Sequence, residues 1–406
     1  MPKSTPPQVR YEDRQPTLEK ARLEKMSRSA HAYVRGNTVQ FYDWLLRARK
    51  GSLPEGPALW ICGDCHVGNL GPIASAKGNV EIEIRDLDQT VVGNPAHDLI
   101  RLALSLAMSA RGSDLPGVTT ARMIEQIMQG YQHSLLHPGA TYTTAKASRP
   151  EPIQKVLARS MRRRWKHLAE ERIDDVKPTI PLGERFWALK DTERAAIDAL
   201  FAEEQPRRLI TQLKGRDDDA PVKVADAAYW MKGCSSLGKL RYAVLLAIGD
   251  KRHRQHCLVD IKEAVKAAAP AAKRGTSSIA MPADFAERVV TGARALSPYL
   301  GQRMMSATLL RRPVVLRELM PQDLKLEMDS LTRDEAVEAA RFLASVVGKA
   351  HARQMDAATR KRWFAELNRN RSKSLDAPNW LWTSMVQLVA EHEAAYLNHC
   401  RRYATA

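Results

Sequence analysis

Asp64, Asn69 and Asp86 are the residues of this chain whose types and spacing could do chemistry. The first two lie in Trp60-Ile61-Cys62-Gly63-Asp64-Cys65-His66-Val67-Gly68-Asn69, and the third ends Ile82-Glu83-Ile84-Arg85-Asp86, just before Leu87-Asp88. Phosphoryl transfer asks for such a set. One carboxylate, Asp64, would take the proton of an attacking hydroxyl, while an amide and a carboxylate, Asn69 with Asp86 or Asp88, would hold magnesium (Mg2+) against phosphates. A Gly-Asp pair by itself is usually a turn. Its weight comes from the ordered series, which continues through Gly93-Asn94-Pro95-Ala96-His97-Asp98 at the head of an apolar stretch.

A second group lies far downstream. Lys232-Gly233-Cys234-Ser235-Ser236-Leu237-Gly238 separates two strand-like runs. Backbone N–H groups of such a loop can approach a triphosphate without Cβ clashes, which makes Gly233, Ser235, Ser236 and Gly238 candidates for nucleotide binding. A plain hairpin turn is the simpler reading of the loop taken alone. The next run, Leu258-Val259-Asp260-Ile261-Lys262, ends on a Lys that either grips α- and β-phosphates or is an exposed strand end.

The elements that must position these residues follow from periodicity. Residues 1–16, with Pro2, Pro6, Pro7 and Pro16 among charges, read as disordered. Thr17–Arg49 reads as helix broken near Gly36, Ala58–Cys62 as a short strand, Gly63–Gly71 as a loop and Val80–Ile84 as a strand. Apolar periodicity predicts helices over Ala96–Ala110 and Met123–Leu136, and residues 148–215 read as charged and mostly helical. Lys214–Pro221, with three consecutive Asp, is the best linker. Strands follow over Val224–Met231, Leu240–Ile248 and His256–Ile261, then a helix over Asp284–Leu296, a strand at Val314–Leu316, and helices over Arg333–Arg353 and Asn379–Tyr403. The expected fold class is α+β: a helical region at 17–215, a β-rich region at 216–321 and a closing helical segment at 322–406.

Composition narrows the class without choosing a ligand. The chain has 406 residues, enough for two or three packed regions, with 44% apolar and 27% charged residues. Its net charge of +17 favours anionic partners such as nucleotides, phosphorylated substrates, nucleic acid or acidic lipid. No apolar run approaches the roughly 20 residues of a membrane span, and the first 25 residues lack the apolar core of a secretory signal. With five Cys in no dense framework, the expectation is a cytoplasmic protein.

The early segment resembles the catalytic stretch of aminoglycoside phosphotransferases and choline kinases, relatives of protein kinases. That family's pattern runs His-Gly-Asp-x-His-x-x-Asn, then Ile-Asp-(Phe/Trp), then Gly-Asp-Pro-x-x-Asp-Leu. Gly63, Asp64, His66, Asn69 and Asp98 match; Cys62 stands for the first His, Asn94 for an Asp, and Ile84-Arg85-Asp86 carries one inserted position. The resemblance implies ATP and Mg2+ as cofactors, Asp64 as catalytic base, Asn69 and Asp86 (or Asp88) as metal ligands, Asp98 as the buried brace of the loop, and His66 as its support. It also implies a bilobal protein-kinase-like fold, with a small antiparallel-sheet nucleotide lobe and a larger helical lobe. Within it Glu287 is the candidate carboxylate for Lys262, and Glu318, in the strand leading to the nucleotide-reading hinge, is a candidate for nucleotide binding. The helix ending Val347-Gly348-Lys349-Ala350-His351-Ala352 looks like the one that precedes the catalytic loop in such kinases, yet here that loop lies at 62–69. The order therefore resembles a circular permutation. Over roughly residues 15–400 the chain also resembles an uncharacterised bacterial family, domain of unknown function 2252, on Ala32-Tyr33-Val34-Arg35-Gly36, the Cys-Gly-Asp segment, Gly233–Tyr242 and Lys262-Glu263-Ala264.

The implied function is ATP-dependent phosphoryl transfer to an unidentified hydroxyl acceptor, preferably a small molecule. The alternatives are a nucleotide-binding pseudokinase, an AMP-transferring enzyme, and a basic nucleic-acid-binding protein without catalysis. For the last, Arg159, Arg162, Arg163, Arg164 and Lys166 could contact phosphates while Trp165 stacks a base, although no named nucleic-acid motif is present. Cys62-x-x-Cys65-His66 also spells the c-type haem attachment signature, or a redox pair, or half a zinc site. A small buried Cys62 is the simplest reading.

Overall fold

The computed structural model describes residues 9–112, 115, 117–138, 149–172, 179–213, 215–234, 237–250, 254–272, 279–324, 331–369 and 377–403. The chain begins with α1 (Arg14–Ser27), α2 (Ala30–Gly36) and α3 (Thr38–Arg47). Order therefore starts earlier than the prolines suggested. The Arg14 guanidinium is buried against Glu193 at 3.0 Å, and Tyr11 donates to the carbonyl of Leu189. A paired buried charge holds a segment whose composition alone reads as disordered. Residues 1–8 of that expectation lie outside the described residues.

Two small antiparallel pairs come next. β1 (Leu59–Ile61) pairs with β4 (Val91–Gly93), and β2 (Leu70–Ala74) pairs with β3 (Val80–Ile84). Strands β2 and β4 were not read from the sequence. β2 contains Gly71 and Pro72, which weaken a strand signal, and β4 is three residues long. α4 (Ala96–Gly112) and α5 (Gly117–Leu136) follow, then α6 (Glu151–Arg162) and α7 (Trp165–Arg172). α4, α5 and α6 pack with α12 (Arg333–Ala352), α13 (Ala357–Leu367) and α14 (Asn379–Tyr403) around one large apolar core, while α7 packs on a six-stranded sheet. α5 and α12 cross so closely that a Cβ on Gly130 would lie 2.0 Å from the carbonyl oxygen of Arg341. Thr332 and Glu335 form a capping box that starts α12.

Among the described residues the remaining strands form one antiparallel six-stranded sheet, in the order β5-β6-β7-β8-β10-β9. Its members are β5 (Phe186–Trp187), β6 (Val222–Trp230), β7 (Arg241–Ile248), β8 (Gln255–Glu263), β9 (Met304–Leu309) and β10 (Arg312–Leu319). β7 is apolar nearly throughout because both its faces are covered. Tyr242, Val244, Leu246 and Ile248 meet α8 (Asp191–Ala202) and α9 (Glu204–Thr211), while Ala243 and Leu245 pack with Phe186, Trp230 and Leu258 on the opposite face. β5, α8 and α9 thus share a core with the sheet although they precede residue 216. Arg216, inside the expected linker, is pinned to Glu318 at 2.7 Å. α10 (Phe285–Leu296) and α11 (Pro298–Gly301) connect β8 to β9. The protein is α+β, with two small antiparallel pairs beside a six-stranded antiparallel sheet.

Candidate active site

The loop that carries Asp64 is held from behind. Asp98, fully buried at the start of α4, accepts the N–H groups of Cys62 at 2.7 Å and Gly63 at 3.0 Å. Its Oδ2 also meets His351 Nε2 of α12 at 3.1 Å, and His351 Nδ1 meets the Tyr131 hydroxyl, which accepts from Trp363 Nε1. Gln354, in the turn after α12, bridges the N–H and carbonyl of Trp60. α12 and the turn that follows it, nearly 300 residues downstream (294 separate Trp60 from Gln354), therefore support the loop. Gly63 takes φ +74°, and a Cβ there would lie 2.1 Å from the Gln89 carbonyl oxygen, so both its conformation and its surroundings exclude a side chain.

Asp64 itself is 7% exposed. Its Oδ1 accepts from Arg101, with Nε at 3.0 Å and Nη2 at 2.9 Å, and Oδ2 faces His66 Nε2 at 3.9 Å. Burial pushes the Asp64 carboxyl up, against the Arg101 charge. Arg101 was not anticipated from the sequence. Its signal was a lone Arg three residues after Asp98 in an otherwise apolar helix, a spacing that puts both on one face. His66 is 4% exposed, and burial together with Arg35 and Arg101 pushes its pKa well below the usual value, leaving the ring neutral.

Asn69 joins the two acidic stretches. Its side-chain amide donates to the Asp64 carbonyl at 3.0 Å and the Asp86 carbonyl at 3.2 Å, and its own carbonyl accepts from Arg85 N at 2.7 Å. The β2–β3 hairpin thereby returns Asp86 to the loop that it left at Asn69. Across from them stands β8. Lys262 Nζ lies 3.2 Å from Asp86 Oδ2 and also contacts Asp88 Oδ2, so the late lysine strand and the early carboxylates meet.

Strand register explains which side chains face the cavity between these pieces. Arg241, Lys262 and Val315 occupy one cross-strand row of β7, β8 and β10, and Ala243, Asp260 and Arg317 occupy the row beside it. Residues two apart share a face, so Asp260 and Arg317 line the same cavity as Lys262. Glu318 pairs with Val259 on the opposite face. It is 2% exposed and held by Arg216, so it does not reach the cavity as the sequence reading expected. Glu287 is also displaced. It is exposed on α10, one position from the buried face, and that face instead directs Arg288 to the carbonyls of Asp88, Thr90 and Val265. The carboxylates of Lys262 are Asp86 and Asp88. Gly233 lines the cavity with φ +93°, and Gly238 has φ +91°. Ser235 and Ser236 lie outside the described residues.

Six cations (Arg35, Arg85, Lys232, Arg241, Lys262, Arg317) and four carboxylates (Asp64, Asp86, Asp88, Asp260) line the cavity, leaving it net positive. Burial raises the Asp86 carboxyl, but the Lys262 ammonium outweighs it and holds the group well below the usual carboxylate range. Burial and the neighbouring Asp86 charge push Asp88 up. Asp86 sits deep in the protein yet keeps 47% of its side chain open to the cavity, so solvent screens the pair. Burial lowers Arg85 to about 10. Among the described residues no group of three or more His, Cys, Asp or Glu is set to hold a metal ion unaided. Mg2+ asks less of a protein, because it takes one or two carboxylates and completes its shell with phosphate oxygens and water.

The rival motifs take other places. Cys62 and Cys65 are free thiols, 0% and 1% exposed, inside the large core. No haem could reach them there. Trp165, partly buried, packs against the core on one sheet face and Arg163 Nε donates to the Pro321 carbonyl, while Arg159, Arg162, Arg164 and Lys166 are exposed. No described helix is long and apolar enough to cross a membrane.

The chain belongs to the family described as "Uncharacterized protein conserved in bacteria (DUF2252)", which matches residues 14–402. No curated protein and no solved structure matches it.

Proposed function

We propose that the cavity binds a nucleoside triphosphate, ATP by resemblance, and transfers its γ-phosphoryl group to the hydroxyl of a small acceptor. The observation that carries this reading is the contact of Lys262 with Asp86 and Asp88, which joins two stretches 176 residues apart in one net-positive cavity. A bilobal protein-kinase-like fold, circularly permuted, is part of the same proposal. It is supported by the sequence of glycine loop, lysine strand, helix and further strand pair in one antiparallel sheet, and by α12 lying behind the Asp64 loop.

In this reading Lys262 leaves its carboxylates to hold α- and β-phosphates, and the backbone at Gly233 and Gly238 covers the triphosphate. Mg2+ bound at Asp86 and Asn69 would neutralise phosphate charge. Asp64, oriented by Arg101, aims the acceptor hydroxyl and takes its proton late in transfer. Its upward-shifted pKa suits a group that must accept a proton. Neutral His66 supports the loop and moves no proton. Asp98, through two N–H groups and His351, fixes the loop's position. The test is Asp64→Asn, which keeps shape and removes the base. ATP consumption should be lost with nucleotide affinity unchanged, and unchanged turnover would reject the assignment. Product mass distinguishes transfer of phosphate from transfer of AMP.

A further inference from the structure

Arg35 is a cavity cation for which the nucleotide reading has no task and which, among the described residues, forms no ion pair. It sits in the last turn of α2 and lines the cavity beside Asp64, His66 and Gly68. Two contacts fix its place. The preceding carbonyl, of Val34, accepts from Arg101 Nη2 at 2.6 Å, and Arg101 is the residue that holds Asp64. The following carbonyl, of Gly36, accepts from Arg22 at 3.3 Å. The guanidinium lies against the loop: a Cβ on Gly68 would stand 3.0 Å from Arg35 Cζ. At the next residue, a Cβ on Gly36 would stand 2.9 Å from Cys234 Sγ of the glycine loop, which also lines the cavity. Arg35 therefore stands where the catalytic loop and the glycine loop face each other.

Its chemistry there is unbalanced. Among the described residues Arg35 forms no ion pair and no hydrogen bond, and its Nε is sealed from solvent without a partner. Next to it the neutral His66 ring has a sealed Nδ1, also without a partner. The other cavity cations have partners, although Arg85 Nε and Arg317 Nε are also sealed without one and Lys232 lies over the Trp230 ring. Lys262 takes Asp86 and Asp88, Arg241 and Arg317 take Asp260 (Arg317 at 4.0 Å), and Arg85 reaches the Asp323 carbonyl at 3.4 Å. A partly buried guanidinium whose fork is unfilled is built to receive an oxyanion.

We propose that Arg35, with His66 beside it, binds an anionic group, phosphate or carboxylate, on the acceptor, and so presents the acceptor's hydroxyl to Asp64. This rests on the phosphotransferase reading of the cavity and names its substrate class: a hydroxyl compound that already carries a negative charge. Arg101 is already paired with Asp64, and Arg35 adds the further cation that an anionic acceptor needs beside the carboxylates of the cavity.

The test is calorimetric titration of inorganic phosphate, and separately of acetate, into protein saturated with ADP and Mg2+. Wild type should bind one of the two anions, phosphate marking a phosphomonoester and acetate a carboxylate. Arg35→Met should weaken that binding by about tenfold to a hundredfold, the worth of a charge-assisted fork, with Arg35→Lys in between. Affinities for ADP and ATP should not change in either variant. Equal anion affinity in wild type and Arg35→Met overturns the proposal. So does a loss of ATP affinity without loss of ADP affinity, which would assign Arg35 to the γ-phosphate of the donor. Should the protein bind no nucleotide, the phosphotransferase reading fails separately. Phosphate titrated into nucleotide-free Lys262→Met, with and without Arg35→Met, then still decides the anion site, since Lys262 can no longer contribute: loss of binding on the second substitution sustains it, and no loss overturns it.

Discussion

Replacing Lys262 by Met keeps the aliphatic stem and removes the charge that Asp86 and Asp88 share. Removing one partner of a fully buried ion pair costs about 3–5 kcal/mol, and of a fully exposed pair about 0–1 kcal/mol. Here Lys262 is 12% exposed, Asp88 28% and Asp86 47%, which places the loss between those limits, at about 2 kcal/mol near pH 7.5. The pH dependence follows by linkage. In wild type the depressed Asp86 pKa contributes stability above the unfolded value of 3.8 that is lost only below it, so Asp86 adds no slope between pH 5 and 7.5. Without the ammonium, two adjacent carboxylates share a site, and the folded-state pKa of one rises above its unfolded value. The folded protein then holds the extra proton, and stability falls as pH rises through that raised value. Urea unfolding should show Lys262→Met recovering toward wild type at pH 5 and losing ground again at pH 7.5. Millimolar Mg2+ should raise the unfolding midpoint of the variant more than that of wild type, because the ion replaces the missing cation. A variant within about 0.5 kcal/mol of wild type at both pH values, and indifferent to Mg2+, would refute the reasoning, since that is the range of ordinary surface changes.

Three further outcomes test the framework around the site. Asp98→Asn replaces two accepting oxygens by one and turns an amide N–H toward a donor, so urea unfolding should show a loss of about 3 kcal/mol; under 1 kcal/mol would mean that the brace matters little. Glu83 is 5% exposed, and burial pushes its carboxyl up from 4.5 to about 7. Its raised pKa means that wild type loses stability as pH climbs from 4.5 through 7, by about 3 kcal/mol at about 1.4 kcal/mol per pH unit. Glu83→Gln should therefore unfold later than wild type at pH 8 and match it near pH 4.5; parallel pH curves would contradict the assignment. Glu318→Ala should cost about 3 kcal/mol by stranding Arg216, whereas Glu287→Ala should stay within about 0.5 kcal/mol; the reverse order in unfolding experiments would overturn the placement of both.

Local pattern revealed some of this and hid the rest for identifiable reasons. The apolar run of β7 announced a strand, and the repeat of α4 announced an apolar helix. Asp98 sat where the helix began. The face of a strand is also written in its alternation, and counting in twos from Lys262 along β8, then across to β10, would have turned Glu318 away from the cavity. What alternation cannot supply is which strands are neighbours. β8 lies beside β10 and not β9, and no local feature of either strand says so. Arg101 and Arg14 were missed because a single charge in an apolar or disordered-looking segment reads as noise until its partner, Asp64 or Glu193, is known to be adjacent. Arg35 was noted only as part of a family mark. Its meaning needed Gly68 and Cys234 beside it, and both come from remote stretches.

The most direct measurement is the affinity of ATP with Mg2+ for wild type and for Lys262→Met, read by calorimetry. If the early carboxylates and the late lysine enclose one nucleotide, wild type binds and the variant binds about tenfold to a hundredfold more weakly, the worth of one charge-assisted phosphate contact. Equal affinity in the two proteins, or no binding to wild type at saturating Mg2+, would contradict the account.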